Sequence, residues 1–201
     1  MPGGAIPCPA LRSRGAGGRE VKLTDAELAH QALLEQWRGA MDLIGPGPSS
    51  PHFTDAAASV RDLEATGDWA DLGSGAGFPG IALAARWPDA HVLLVESRSK
   101  RGVFLDQVLA AAKLTNATVH RGRTEKLADG SFDGIISRAY KPPADYLVDA
   151  ARLLRPRGRA VLLLGDATPA PELDSCWEEL STLRYRVGSG WRQRIVLRRG
   201  G

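Results

Sequence analysis

The chain is poor in the residues from which several common kinds of site are built. Its 201 residues contain only two cysteines, Cys8 and Cys176, far apart in sequence. That pattern offers neither a cysteine zinc site nor a disulfide framework, and it fits a reducing compartment. No metal site is expected. No apolar run approaches the roughly 20 residues of a membrane-spanning helix. The N-terminus lacks the apolar segment of a signal peptide, so a cytoplasmic protein without membrane contact is expected. The four histidines, at positions 30, 52, 91 and 120, form no catalytic grouping in sequence. His91 and His120 fall in predicted strands and read as structural, which leaves His52 as the one to watch. Internal repeats are absent.

What is present suits one globular α/β domain. Hydrophobic residues make up 43% of the chain and charged residues 24%, which is not the balance of a disordered protein. The net charge is only +3, but the basic residues are uneven. Arg12, Arg14, Arg19 and Lys22 lie near the N-terminus, and Arg184, Arg186, Arg192, Arg194, Arg198 and Arg199 near the C-terminus. With a pI near 9.1, the balance permits a nucleic-acid partner and equally suits solvated surface charge.

Residues 1–20 are rich in Gly, Pro, Ala and Arg and are expected to form a disordered arm. A helical cap is expected over 21–66. Thr24 to Glu27 reads as a capping box, opening an amphipathic helix that carries Leu34, Trp37, Met41 and Ile44 before Gly45 to Pro51 breaks it. A second helix is expected from Thr54 to Ala65. Residues 67–201 then alternate in pattern. Strands are predicted at 69–72, 91–95, 117–120, 132–137, 159–164, 182–187 and 193–198. Helices are predicted at 80–87, 99–113, 144–154 and 172–180. Such alternation implies a mostly parallel, doubly wound sheet.

The most informative stretch is Asp71-Leu72-Gly73-Ser74-Gly75-Ala76-Gly77-Phe78-Pro79-Gly80. It joins a predicted strand to a predicted helix. Glycines at this density let the backbone approach a ligand closely, and the helix beyond offers free N–H groups. Gly75, Gly77 and Gly80 fit the dinucleotide spacing G-x-G-x-x-G. Counted from the strand end, however, that spacing requires glycine at 78, where Phe78 stands. The pattern from the strand end is D-x-G-x-G-x-G, with Asp71, Gly73, Gly75 and Gly77, as in class I S-adenosylmethionine methyltransferases. Glu96, at the end of the second strand, is placed to accept hydrogen bonds from ribose hydroxyls. Thr124 and Glu125 follow the third strand, where an adenine edge would lie. Arg138 closes the fourth strand, at the edge where α/β enzymes place reactive groups. Lys100, Arg101 and Arg123 are expected to flank that edge and meet RNA phosphates, with Arg192 and Arg194 as further candidates.

The glycine loop through Ile81, Glu96-Ser97 with Lys100-Arg101-Gly102-Val103-Phe104-Leu105, Gly122-Arg123-Thr124-Glu125, and Phe132-Asp133-Gly134-Ile135-Ile136-Ser137-Arg138-Ala139 together resemble the RsmG, or glucose-inhibited division protein B, family. The resemblance spans roughly residues 68 to 165. It implies a class I S-adenosylmethionine-dependent methyltransferase (Rossmann-like) fold with a mostly parallel seven-stranded sheet. It also implies methylation of N7 of one guanine in the 530 loop of 16S rRNA, guanine 527 in usual rRNA numbering, by a monomer acting on the small ribosomal subunit or its precursor. The family's cofactor contacts fall on Gly73, Phe78, Thr124, Glu125 and Arg138. Asp42-Leu43-Ile44, the shortened Gly45–Pro51 segment and Leu164 depart from the family pattern, touching the expected RNA side more than the cofactor side. The alternatives left open are a methyltransferase acting on another RNA or a small molecule, and a non-catalytic RNA-binding relative. Guanine N7 carries a lone pair and no proton, so its methylation requires orientation rather than a base.

Overall fold

The computed structural model describes residues 22–201. The arm expected over residues 1–20 lies outside the described residues. Thr24 does open a helix, α1 (Asp25–Trp37), through a capping box: its hydroxyl accepts from the Glu27 amide at 3.2 Å, and Glu27 Oε2 accepts from the Thr24 amide at 2.8 Å. Glu27 is then buried and bound by Arg86 at 2.7 Å, which ties the start of α1 to the helix after the glycine loop.

Seven strands form one sheet: β1 (Gly67–Leu72), β2 (Ala90–Glu96), β3 (Ala117–Arg121), β4 (Phe132–Arg138), β5 (Leu154–Gly165), β6 (Trp177–Val187) and β7 (Gly190–Arg199). Their spatial order is β3-β2-β1-β4-β5-β7-β6. The first five are mutually parallel, and β7 runs antiparallel to both β5 and β6. From β1 the chain winds outward to β2 and β3, then returns to place β4 on the other side. Open α/β sheets bind ligands beyond the carboxyl ends of the strands at such a reversal.

Alternation along the strands divides the core. Trp69, Ile136 and Val161 face one layer, while Ala70, Leu72, Ile135, Ala160 and Leu162 face the other. The first layer is made by α3 (Gly80–Arg86) and α4 (Ser99–Ala112), with α1 and α2 (Ser50–Ser59) packed outside them. The second is closed by α5 (Pro143–Leu153), whose Tyr146, Leu147, Ala150 and Leu153 are buried.

Three expectations need correction. The first helix ends at Trp37, not near Ile44. Residues 38–49 instead turn back, held by the Arg38 guanidinium donating to Gly47 O at 2.6 Å, and Leu43 is buried without being helical. The second helix begins at Ser50 rather than Thr54, because Pro51 suits a first turn, and it stops at Ser59. Beyond it, Asp62 and Glu64 take positive φ (59° and 48°), which a helix through Ala65 would forbid. No helix forms over 172–180: β6 already begins at Trp177, and its pairing with β7 along the sheet edge overrides the local helical pattern.

Candidate functional site

The loop after β1 turns sharply. Gly73 and Gly77 sit at φ +69° and +95°, where side chains are strained, and each is also crowded. A Cβ on Gly73 would lie 2.7 Å from the Tyr140 ring, and one on Gly77 would lie 2.7 Å from Ile81 and 3.2 Å from the His30 ring. The loop turns on itself where the Gly77 amide donates to Ser74 O at 2.7 Å, and its neighbours hold it further. The Ser74 amide donates to Val95 O at 3.0 Å. From beneath, Asp71 Oδ2 accepts from the Gly80 amide at 3.0 Å. From the cap, His30 Nε2–H donates to Ala76 O at 2.7 Å. Burial, opposed by the hydrogen bond to Ala76, lowers the His30 pKa to about 4, so the ring is neutral at ordinary pH with its proton on the donating nitrogen.

Glu96 supplies the other brace. Its Oε2 accepts from the Gly75 amide at 3.0 Å and its Oε1 from the Arg98 amide at 2.7 Å. The carboxylate is 5% exposed and borders a cleft of about 320 Å³ beyond the ends of β1 to β4. Gly73, Glu96, Arg101, Arg123, Thr124 and Glu125 all line this cleft, so the structure brings these candidates together. Tyr140 lines it too and was not singled out in the sequence. The Thr124 hydroxyl donates to the Tyr140 oxygen at 2.7 Å, and the Tyr140 hydroxyl donates to Asp149 at 3.1 Å. An aromatic two residues past a central strand is the signal that could have found it.

A second cleft of about 670 Å³ adjoins the first, with Ala139 and Lys141 common to both. His52 and Asp55 of α2, Arg138, the segment Leu163 to Thr168, and Arg192 line it. Arg138 donates to Asp55 Oδ2 at 3.0 Å, and the Tyr185 hydroxyl donates to Asp55 Oδ1 at 2.8 Å. The Arg138 guanidinium also lies 4.8 Å from the centre of the Phe78 ring. His52 stacks on the same ring, 5.8 Å between centroids. Burial, followed by the Arg138 charge, holds the His52 pKa below its usual value.

Some candidates are placed elsewhere. Asp71, Gly75, Gly77 and Phe78 do not line the first cleft. Asp71 is fully buried under the loop, and Phe78 is 4% exposed among His30, Phe53 and His52. Arg194 is a correction: at 5% exposure it donates to the carbonyls of Ser59, at 3.2 Å, and Arg61. It caps the end of α2 and is not free to meet a phosphate. Lys100 is exposed, and Arg101 is half-buried and donates to Asp42 O at 2.7 Å. Among the described residues no group of His, Cys, Asp and Glu is arranged to hold a metal ion.

The profile of the family described as rRNA small subunit methyltransferase G (GidB) matches residues 28–186. The chain belongs to this family. A ribosomal RNA small subunit methyltransferase G of Cupriavidus necator is 36% identical over 166 residues, which cover 75% of this chain and 71% of the relative. That of Lawsonia intracellularis is 34% identical over 197 residues, covering 88% and 89%. Among solved structures, TYW2 of P. horikoshii in complex with MeSAdo has a TM-score of 0.61 at 13% identity, covering 79% of this chain and 66% of that one. TYW2 of M. jannaschii in complex with AdoMet has a TM-score of 0.60 at 12% identity, covering 79% and 81%. At these identities the structures establish the shared fold.

Asp71 generates a prediction. Burial, opposed by the Ser74 and Gly80 hydrogen bonds, pushes its pKa up to about 7. Its Oδ1 has no hydrogen-bond partner among the described residues. A carboxyl raised in the folded state stabilises the fold fully below its unfolded pKa, and that stability is lost as pH rises to the folded value. The window is therefore about pH 4 to 7. Asp71→Asn cannot ionise, so its Tm relative to the parent should climb across that window and level off above pH 7. The full effect should be a few kcal/mol, about 1.4 per pKa unit. Thermal melts at pH 4, 5.5, 7 and 8.5 check this; a constant offset would contradict it.

Proposed function

We propose that the protein uses S-adenosylmethionine to methylate N7 of a guanine in the 530 loop of 16S rRNA, as a cytoplasmic monomer acting on the small ribosomal subunit or its precursor. The observation that carries this reading is the pair of adjoining clefts at the sheet reversal, one behind the glycine loop and one against Arg138. Membership of the small-subunit rRNA methyltransferase family supports the substrate.

The residues of the first cleft suit an adenosyl cofactor. Glu96 is an acid at the end of β2 with lone pairs to spare for ribose hydroxyls. Gly73 leaves a backbone surface that a Cβ would fill, and Thr124 with Glu125 offers polar groups to a ring edge. When bound there, S-adenosylmethionine supplies a methyl group on a positively charged sulfur. The task of the chain is then placement. Arg138 closes the central strand β4, and Asp55 and Phe78 fix its guanidinium at the second cleft. It is the residue to which we give the orienting role in catalysis. Arg123 and Arg101 at the first cleft, Lys100 beside them and Arg192 at the second are the cations offered to RNA phosphates. Guanine N7 needs no deprotonation, and the second cleft supplies one neutral imidazole, His52, already committed to stacking on Phe78.

Two measurements test the reading. Mass spectrometry of 16S rRNA nucleosides from a strain lacking this protein should show loss of one N7-methylguanosine, restored by the parent gene; an unchanged nucleoside profile would overturn the assignment. Glu96→Ala should weaken binding of S-adenosylhomocysteine by roughly ten- to a hundred-fold in calorimetry, the worth of a charge-assisted hydrogen bond of about 1.5–3 kcal/mol. Undiminished affinity would remove Glu96 from the cofactor site.

A further inference from the structure

The last hairpin carries a feature that neither cleft uses. In β6 and β7, Tyr185, Val187 and Arg194 point toward the cap, where Tyr185 and Val187 pack against Ala58 of α2. Side chains of the opposite parity point to the other face of the sheet. There Arg186 stands across from Trp191, and Arg184 across from Gln193. Trp191 is 41% exposed and so leaves part of its ring open to solvent. The guanidinium groups of Arg184 and Arg186 lie 5.3 and 5.6 Å from its ring centre. Both arginines are exposed, and the acid nearest Arg184 is Asp166, at 3.7 Å on an equally open side chain. Two cations are thus gathered on one aromatic ring with little acid to neutralise them.

The position of this patch is as informative as its composition. β7 is antiparallel to β5, and Arg192 stands opposite Gly165, the last residue of β5. The hairpin turn therefore projects beyond the same sheet edge at which both clefts open. Arg192, next in sequence to Trp191, lines the second cleft, as does Asp166. Arg192 and Trp191 point to opposite faces of the sheet, so the path from that cleft to Trp191 runs past Arg192 and over the projecting end of the hairpin.

We infer that Trp191, Arg184 and Arg186 form a docking platform for single-stranded RNA flanking the target nucleotide, with one unpaired base stacked on the indole and adjacent phosphates met by the two arginines. Aromatic rings bordered by cations bind single strands in this way with little dependence on base identity. Charge complementarity selects RNA over an apolar protein partner. The inference rests on the function proposed above and adds to it a surface outside both clefts.

Methyl transfer to 16S rRNA and to isolated small subunits, followed at varied RNA concentration, tests it. Trp191→Ala should raise KM for RNA roughly five- to a hundred-fold, the range that stacking of one base supplies, while kcat at saturating RNA and affinity for S-adenosylhomocysteine are retained. Trp191→Phe, which keeps a stacking ring, should recover most of the loss. Arg184→Gln with Arg186→Gln should reduce the slope of log Kd against log salt by roughly 1.4, as expected for two single-strand phosphate contacts. An unchanged KM in Trp191→Ala, a loss that Trp191→Phe does not recover, or a salt slope equal to the parent's would overturn the platform while leaving the function standing. Failure of the parent protein itself to methylate either RNA would overturn the function, and the platform with it.

Discussion

Everything at this site depends on holding still a backbone segment in which every second residue from Gly73 to Gly77 is glycine. The loop from Gly73 to Gly80 meets the first cleft through Gly73, and free glycine segments are the most mobile backbone a chain has. Three anchors restrain it: Asp71 beneath, Glu96 from the neighbouring strand and His30 from the cap. Each reaches the loop from a different structural element, so its geometry is set by the whole fold.

The cap is accordingly part of the site. Through Glu27 it grips Arg86, through His30 the glycine loop, through Asp55 the Arg138 guanidinium, and through its carbonyls Arg194. Asp55 is 6% exposed and takes two hydrogen bonds, one charged. Removing it would leave Arg138 with its charge half-buried and no acid partner, a costly state in a protein interior. The arrangement trades mobility of Arg138 for position.

Much of the fold was legible because its signals are periodic or local. The order of the seven strands in the chain, the capping box at Thr24 and the helices after β1 and β2 follow from alternation, caps and glycines. The ends of the cap helices were not, since they are decided by Pro51, by positive φ at Asp62 and Glu64, and by side-chain clamps from Arg38 nearby and from Arg101, distant in sequence. The helix expected over 172–180 lost to cross-strand pairing that no local window contains. At the site, Gly73, Glu96, Thr124 and Glu125 were legible from their places at strand ends. The burial of Arg194 was not, because basic residues near a terminus look alike until the packing shows which one is covered. Tyr140 was legible in principle from its place two residues past a central strand, whereas Trp191 escaped because a lone aromatic announces nothing until its neighbours are known.

The central claim is that this site works by placement, with Arg138 fixed at the meeting of two clefts and no group required to take a proton. The pH dependence of kcat, under saturating cofactor and RNA, tests that most directly. The account predicts a nearly flat profile from about pH 6 to 8.5, because no essential base titrates there. An acid limb that disappears in His52→Ala would contradict it. Such a limb would make His52 the base, and the acceptor a group that carries a proton.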